Sequence, residues 1–320
     1  MAPRILITRG IPEQGLDILK EAGLEYTILP HSDTQATKQE IIDGVKGCDG
    51  LLSLLTDTID REVLEASDNL KIVSQYAVGY NNIDIKAAGE LGIIVTNTPG
   101  VLTNATADLA FGLMLAAARR IPESDRYVRA GKFRVWAPML HTGMQIHGRT
   151  LGIVGAGRIG SAVAKRAKGF DMKIIYHNRN RNQELEKETE AEYVSFDELL
   201  ERSDFISLHT PLAQETTRFF GAEEFRKMKN TAVFVNTARG KCVDEKALLD
   251  ALQSGDIYAA GLDVFENEPD IIPGLEKLEN VVMTAHIGSG SILTRRKMAE
   301  IAATNLVQFF NRGEPEFRVC

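Results

Sequence analysis

Three short runs toward the end of the chain place an arginine, an acid and a histidine beside glycine or proline. They are Asn236-Thr237-Ala238-Arg239-Gly240, Gly261-Leu262-Asp263-Val264-Phe265-Glu266-Asn267-Glu268-Pro269 and Thr284-Ala285-His286-Ile287-Gly288-Ser289. An arginine can grip a carboxylate through two parallel hydrogen bonds and polarise an adjacent carbonyl. A histidine can donate a proton near neutral pH, and a carboxylate behind the ring orients it and favours its charged form. Together they supply an arginine, an acid and a histidine, groups that can bind a carboxylate and move a proton. Singly, each has a plain structural reading: a turn histidine, a helix-start arginine, a Glu-Pro turn. Occurring jointly at successive strand ends, Arg239, an acid of the second run and His286 point to catalysis. His31, His141, His147, His177 and His209 have no comparable partner motif and read as non-catalytic.

The chain also carries a motif for a nucleotide. Gly155-Ala156-Gly157-Arg158-Ile159-Gly160 matches the dinucleotide pattern and follows the apolar run Thr150–Val154, which reads as a buried strand. Beyond it, Ile159, Ala162, Val163, Ala167 and Phe170 recur at helical spacing. Gly155 permits the tight turn, Gly157 lets backbone approach a pyrophosphate at the helix N-terminus, and Gly160 lets helix and strand pack closely. An NAD site would end the next strand, Lys173–Tyr176, with an acid for the ribose 2′-hydroxyl. Here the strand runs into His177-Asn178-Arg179-Asn180-Arg181, with no acid before Glu184. Asn178, Arg179 and Arg181 therefore favour a 2′-phosphate, making NADP(H) the preferred cofactor and NAD(H) the alternative, with Arg179 the stronger candidate. A solvated basic turn is the bland alternative.

The elements that must hold these residues alternate along the chain. Strands are predicted at Ile5–Thr8, Tyr26–Leu29, Gly50–Leu55, Lys71–Gln75 and Ile93–Thr96, with helices Glu13–Glu21, Thr37–Val45 (opened by a Thr37…Glu40 capping box), Asp60–Ala66 and Asp84–Leu91 between them. After Thr98-Pro99-Gly100 comes a helix over Asn104–Arg120, then a polar stretch containing Trp136. A second series has strands at Thr150–Val154, Lys173–Tyr176, Asp204–Leu208, Ala232–Asn236, Tyr258–Asp263 and Val281–Thr284. A helix over Ile292–Phe310 has no strand left to join and should return to the first domain. The fold class is therefore α/β, two doubly wound parallel-sheet lobes. Residues 1–98 plus 291–320 form a flavodoxin-like substrate-binding domain, and residues 99–290 a Rossmann NAD(P)-binding domain.

Composition bounds the rest. The 320 residues suit two domains, and 44% hydrophobic with 25% charged residues is ordinary for a soluble globular protein. A net charge of −7 argues against nucleic-acid and anionic-membrane partners. Cys48, Cys242 and Cys320 form neither a C-x-x-C pair nor a metal-like cluster, so no metal is expected and the thiols should be reduced. The N-terminus enters a strand with no apolar signal region, and Leu109–Ala118 is too short to span a membrane, so a cytoplasmic location is expected.

These motifs, in this order, resemble the D-isomer-specific 2-hydroxyacid dehydrogenases from end to end. Tyr76-Ala77-Val78-Gly79-Tyr80-Asn81-Asn82-Ile83-Asp84 and Thr96-Asn97-Thr98-Pro99-Gly100-Val101 belong to the likeness. Ala105-Thr106-Ala107-Asp108-Leu109-Ala110 and the arginine-bearing turn are similar to the glyoxylate and hydroxypyruvate reductases within it. The resemblance implies that Arg239 binds the substrate carboxylate and keto oxygen, that Glu268 pairs with the proton donor His286, and that the Val78 and Gly79 amides hold the carboxylate. Around the cofactor it implies Thr106, Arg158, Ile159, Thr210, Pro211, Thr237, Ala238, Asp263, His286 and Gly288. Asp263 would meet the nicotinamide carboxamide, and Thr210-Pro211 would flank the adenine. The expected activity is NADPH-dependent reduction of glyoxylate or hydroxypyruvate in a homodimer built through the Asn104–Arg120 helix and the Trp136 segment. A reductase of 2-ketogluconate or another short 2-oxo acid is the alternative, followed by a cofactor-sensing binding module without catalysis. A formate dehydrogenase would not need the Glu268–His286 pair. A phosphoglycerate dehydrogenase would need cations that the Leu51-Leu52-Ser53-Leu54-Leu55 strand end lacks, and no regulatory domain follows the last helix.

Overall fold

A computed structural model describes residues 2–320. The chain divides into two compact units, one running up to Leu102 and resumed over Ser289–Cys320, the other Thr103–Gly288. The turn Thr98-Pro99-Gly100 thus stays within the first unit.

In the first unit, strands β1 (Arg4–Ile7), β2 (Glu25–Ile28), β3 (Gly50–Ser53), β4 (Ile72–Gln75) and β5 (Ile94–Thr96) form a sheet in the order β2-β1-β3-β4-β5. All neighbours are parallel, with Leu51 set between Leu6 and Val73. Helices α1 (Glu13–Glu21), α2 (Lys38–Val45), α3 (Arg61–Leu64) and α4 (Ile85–Glu90) supply the crossovers. The sheet is covered on both faces, which is why β3 is buried at every position and reads as a continuous run rather than an alternation. Thr37 caps α2 through the expected box: its hydroxyl accepts from the Glu40 amide, and the Glu40 carboxylate accepts from the Thr37 amide.

The second unit begins with α5 (Thr103–Ala118) and α6 (Ile121–Arg129) and continues through β6 (Thr150–Val154), α7 (Arg158–Ala167), β7 (Lys173–His177), α8 (Gln183–Thr189), β8 (Glu192–Tyr193), α9 (Phe196–Arg202), β9 (Phe205–Leu208), α10 (Ala222–Lys227), β10 (Val233–Asn236), α11 (Glu245–Ser254), β11 (Ala259–Leu262) and β12 (Val281–Met283). Its sheet runs β12-β11-β10-β9-β6-β7-β8, parallel throughout. The order reverses between β6 and β9, and ligands of such sheets bind outside the strand carboxyl ends at that crevice. Ala107, Ala110, Phe111, Met114 and Ala118 of α5 are buried as the apolar spacing predicts. Helix α6 replaces part of the expected polar stretch: Arg120, at φ +54°, ends the first helix and lets a second start immediately.

Helix α12 (Ile292–Arg312) returns to the first unit, where Met298, Ala302 and Leu306 pack with Ile5, Ile7, Leu52 and Ile72. The segment after it lies antiparallel along β5. Thr96 pairs with Arg318, and the Val319 amide donates to the Val95 carbonyl at 2.7 Å. This tail covers the open edge of the sheet.

Candidate active site

The dinucleotide turn forms where β6 and β9 diverge. Gly155 has φ +95°, and a Cβ there would lie 2.8 Å from the His209 carbonyl carbon, so the two strand ends meet backbone to backbone. A Cβ on Gly160 would lie 2.1 Å from the Gly155 carbonyl oxygen, so only glycine lets α7 seat on the turn. Gly157 is the N-cap of α7 and brings no side chain to the first-turn amides, leaving them for an anion. Asn182 braces the loop, donating to the Ala156 carbonyl at 2.9 Å and the Ser161 hydroxyl at 3.2 Å. Arg158 is exposed and Ile159 half-buried beside it. At neighbouring strand ends, the Thr237 hydroxyl and His209 Nδ1 are buried without a partner. Burial without its charged form's solvation pushes His209 down to about 3, so it is a neutral ring. Thr210 lies 3.9 Å from the Cys242 thiol, and the Pro211 carbonyl accepts from Thr216 at 2.7 Å. Open helix amides, a glycine cradle and orphaned polar atoms along one sheet edge fit a dinucleotide.

The two arginines after β7 differ. Arg181 is spent on Glu186 through bonds of 3.0 and 2.9 Å, and Glu186 also accepts from Tyr176 at 2.6 Å. Arg181 also lies over the Tyr193 ring, 5.8 Å from its centre. Its expected place on a phosphate therefore requires it to leave a complete ion pair. Among the described residues Arg179 makes only an exposed 3.4 Å contact with Glu215, which leaves it able to turn. Asn178 is half-buried, its amide on the Asn180 carbonyl at 2.9 Å.

Three loops after β10, β11 and β12 bring Arg239, Glu268 and His286 together. Asn236 shapes the first: its carbonyl oxygen accepts from the Ala238 amide at 2.9 Å, and its NH2 donates to the Arg239 carbonyl at 3.0 Å. A Cβ on Gly240 would sit 1.9 Å from the Phe265 carbonyl, so the Arg-Gly pair allows the second loop to lie directly on the first. In that second loop Glu268 is gripped at both oxygens, by the Phe265 amide at 2.9 Å and by His286 Nδ1 at 2.7 Å. Burial works to raise the Glu268 carboxyl, but the hydrogen bond and charge of His286, the Phe265 amide and the Arg239 charge together hold it below the ordinary range.

Asp263 organises the third loop. Its carboxylate accepts from the Thr284 hydroxyl at 2.6 Å and from the Ile287 and Gly288 amides at 2.7 Å, while its carbonyl takes the His286 amide at 2.9 Å. These bonds hold His286 at φ +51°, an uncommon conformation for a non-glycine residue that aims the ring at Glu268. Three of the roughly four acceptor positions of a carboxylate are thereby used, leaving about one for a ligand. Thr106 of α5 is buried against Gly288, whose added Cβ would lie 3.4 Å from the Thr106 hydroxyl. The Arg239 guanidinium donates to its neighbour's carbonyl, Ala238, at 2.7 Å, and among the described residues no carboxylate lies within ion-pair distance of it. Burial pulls it below its ordinary range, an effect the charges of Glu268 and Cys242 oppose. An uncompensated cation beside a carboxylate-backed imidazole can bind an anionic carbonyl compound and protonate its oxygen.

Val78 and Gly79 lie in the first unit, in the turn after β4. Asn97 donates to the Val78 carbonyl at 2.8 Å, and Gln75 to that of Gly79 at 3.2 Å. Gln75 itself accepts from Ser53 and binds Asn82, so the turn is fixed from the strand below. The sequence reading missed Glu245 and Arg218, which stand behind the Glu268 loop. Their only sequence signal is charge at a helix start and in a loop.

Residues 111–288 match the family described as D-isomer specific 2-hydroxyacid dehydrogenase, NAD binding domain. The chain is 56% identical over 318 residues to a glyoxylate reductase of Korarchaeum cryptofilum, covering 98% of this chain and 94% of that one. It is 51% identical to a glyoxylate reductase of Thermococcus litoralis, covering 97% and 94% of the two chains. Among solved structures, the NADPH-dependent glyoxylate/hydroxypyruvate reductase of Sinorhizobium meliloti, in complex with NADP and malonate, superposes with a TM-score of 0.86 at 32% identity, covering 100% and 97%.

Proposed function

The chain belongs to the D-isomer specific 2-hydroxyacid dehydrogenase family and is an oxidoreductase, and from that premise we propose that it reduces glyoxylate and hydroxypyruvate with NADPH. The observation that carries this reading is the 2.7 Å Glu268–His286 pair, near enough to Arg239 for its charge to act on Glu268. Bound NADPH would supply the hydride. Arg239 holds the substrate carboxylate through its unspent donors and draws electron density from the neighbouring carbonyl. His286, fixed through Nδ1 by Glu268, presents Nε2 as the proton donor to the oxygen of that carbonyl. Gly155, Gly157, Arg158, Ile159 and Gly160 would hold the pyrophosphate. Thr106, Thr210, Pro211, Thr237, Ala238, Asp263 and Gly288 would line the rest of the cofactor site. The test is NADPH oxidation with glyoxylate, hydroxypyruvate, pyruvate and 2-ketogluconate. A clear preference for 2-ketogluconate would replace the proposed substrates, and no turnover with any of them would remove the reading.

NADPH over NADH rests on Arg179. An R179A variant should raise the KM for NADPH about tenfold, the worth of one charge-assisted hydrogen bond, and change that for NADH less than about twofold. R181A should do less, because Arg181 already belongs to Glu186. Wild-type turnover with NADH as fast as with NADPH would overturn the assignment.

We assign self-association to α5 and the Trp136 segment of the second unit, where Trp136 is 77% exposed, Met139 79% and Val135 69%. Contiguous apolar exposure of this kind marks an interface. Light scattering should give the mass of a homodimer, and W136A with M139A should shift it toward the monomer; a wild-type monomer would exclude the assignment. Among the described residues no helix is long and apolar enough to cross a membrane, and all three cysteines are free. A cytoplasmic location is proposed on the thiols.

A further inference from the structure

We propose that Glu245 is a positioning residue for the reduction, and that with Glu266 and Arg218 it sets how firmly the Glu268–His286 pair keeps its proton. Glu245 opens α11 and is only 6% exposed. An acid in a first helical turn ordinarily faces solvent and the helix amides. This one turns toward the loop that carries Glu268. Its two oxygens accept from the Glu266 amide at 3.3 Å and the Ile272 amide at 3.2 Å, bracketing Glu268 on both sides. Glu266 returns the bond, accepting from the Glu245 amide at 3.4 Å. With Gly240 pressed on Phe265, the loop is held at 265, 266 and 272, on either side of the Glu268 that meets His286.

The same arrangement is electrostatic. Burial raises the Glu245 carboxyl, the two amides lower it, and the charges of Glu266 and Glu268 raise it again. That coupling is mutual: a charge on Glu245 makes the Glu268–His286 pair hold its proton more tightly. Arg218 pairs with Glu266 and cancels part of the effect. Glu245 from α11 and Arg239 after β10 are coupled to Glu268 by charge, and the Asp263 carboxylate holds the amides that follow His286; behind them Glu266 acts on Glu245, Arg218 from the segment before α10 acts on Glu266 and Asp244, and the Cys242 thiol acts on Arg239.

The inference rests on His286 as proton donor, and the experiment separates the two. The pH profile of kcat/KM for glyoxylate reduction is measured for the wild type, E245Q, R218Q and H286N. E245Q should move the midpoint of the basic limb down by about 0.5 pH unit, and R218Q, by freeing the Glu266 charge, should move it up by about 0.3. Opposite shifts are the signature of charge, because loosening the loop moves both variants the same way. Equal profiles with lowered Tm, or shifts of one sign, would make Glu245 structural only and overturn the proposal. If E245Q fails to fold by circular dichroism, the exposed R218Q decides alone, and an unmoved limb there overturns it. A basic limb that survives in H286N would instead strike the assignment of His286.

Discussion

R239K should lose about ten- to a hundredfold in kcat/KM for the 2-oxo acid although the charge is conserved. Two charge-assisted hydrogen bonds at about 1.5–3 kcal/mol each connect a guanidinium to a carboxylate, and an ammonium reproduces at most one of them in that geometry. Arg239 is prepared for such a partner: its loop is shaped by Asn236, one nitrogen is fixed on the Ala238 carbonyl, and no carboxylate of the chain competes for the rest among the described residues. Burial already weighs against its charge, so an anionic partner gains more there than at the surface. Lysine would also desolvate an ammonium without giving it three acceptors. Steady-state kinetics with the NADPH concentration saturating check this. A near-wild-type value would move Arg239 out of the active site.

H286A should lower kcat for reduction by about 10²–10⁴-fold, the usual worth of a positioned proton donor, and remove the basic limb of the profile. The sign follows from which group titrates. Glu268 is held below the ordinary carboxylate range, so its charge is present through neutral pH and is lost only as pH falls through that lowered value. Reduction takes a proton from His286 and oxidation of the hydroxy acid returns one to it, so reduction should fall, and oxidation rise, as pH rises. E268Q keeps the shape of the carboxyl but not its charge, so the limb should move toward lower pH. If E268Q leaves the profile in place, Glu268 is not the electrostatic partner of His286 despite the 2.7 Å contact.

The strands and the three loop motifs are legible in the sequence because each strand is a short apolar run closed by a turn residue, and because parallel sheets place such closures on one edge. The Glu268–His286 contact is foreseeable as chemistry and visible as a distance only in the fold. Other features depend on partners far along the chain. The two-residue β8 has no period to read, and its pairing with β7 is what makes it a strand. The tail along β5 is strand-like because an open edge lies beside it. Arg179 is the stronger candidate in the sequence, but that Arg181 is already paired is visible only in the fold, where the start of α8 at Asn182 brings Glu186 under it. Glu245 looks like an ordinary helix-start acid, and only the course of the loop after β11 reveals what it holds.

The first unit is made from two stretches of chain with the whole second unit between them. Its five strands leave the ribosome early, but Met298, Ala302 and Leu306, which cover Ile5, Ile7, Leu52 and Ile72, are translated after the dinucleotide lobe. A nascent chain must therefore carry an apolar sheet face covered only in part, by α1, and an open β5 edge, through most of its synthesis, the condition under which unfinished proteins aggregate or recruit holdases. Order of synthesis and order of completion are thus inverted in this protein: the lobe begun second is finished first, and the lobe begun first closes only when α12 arrives.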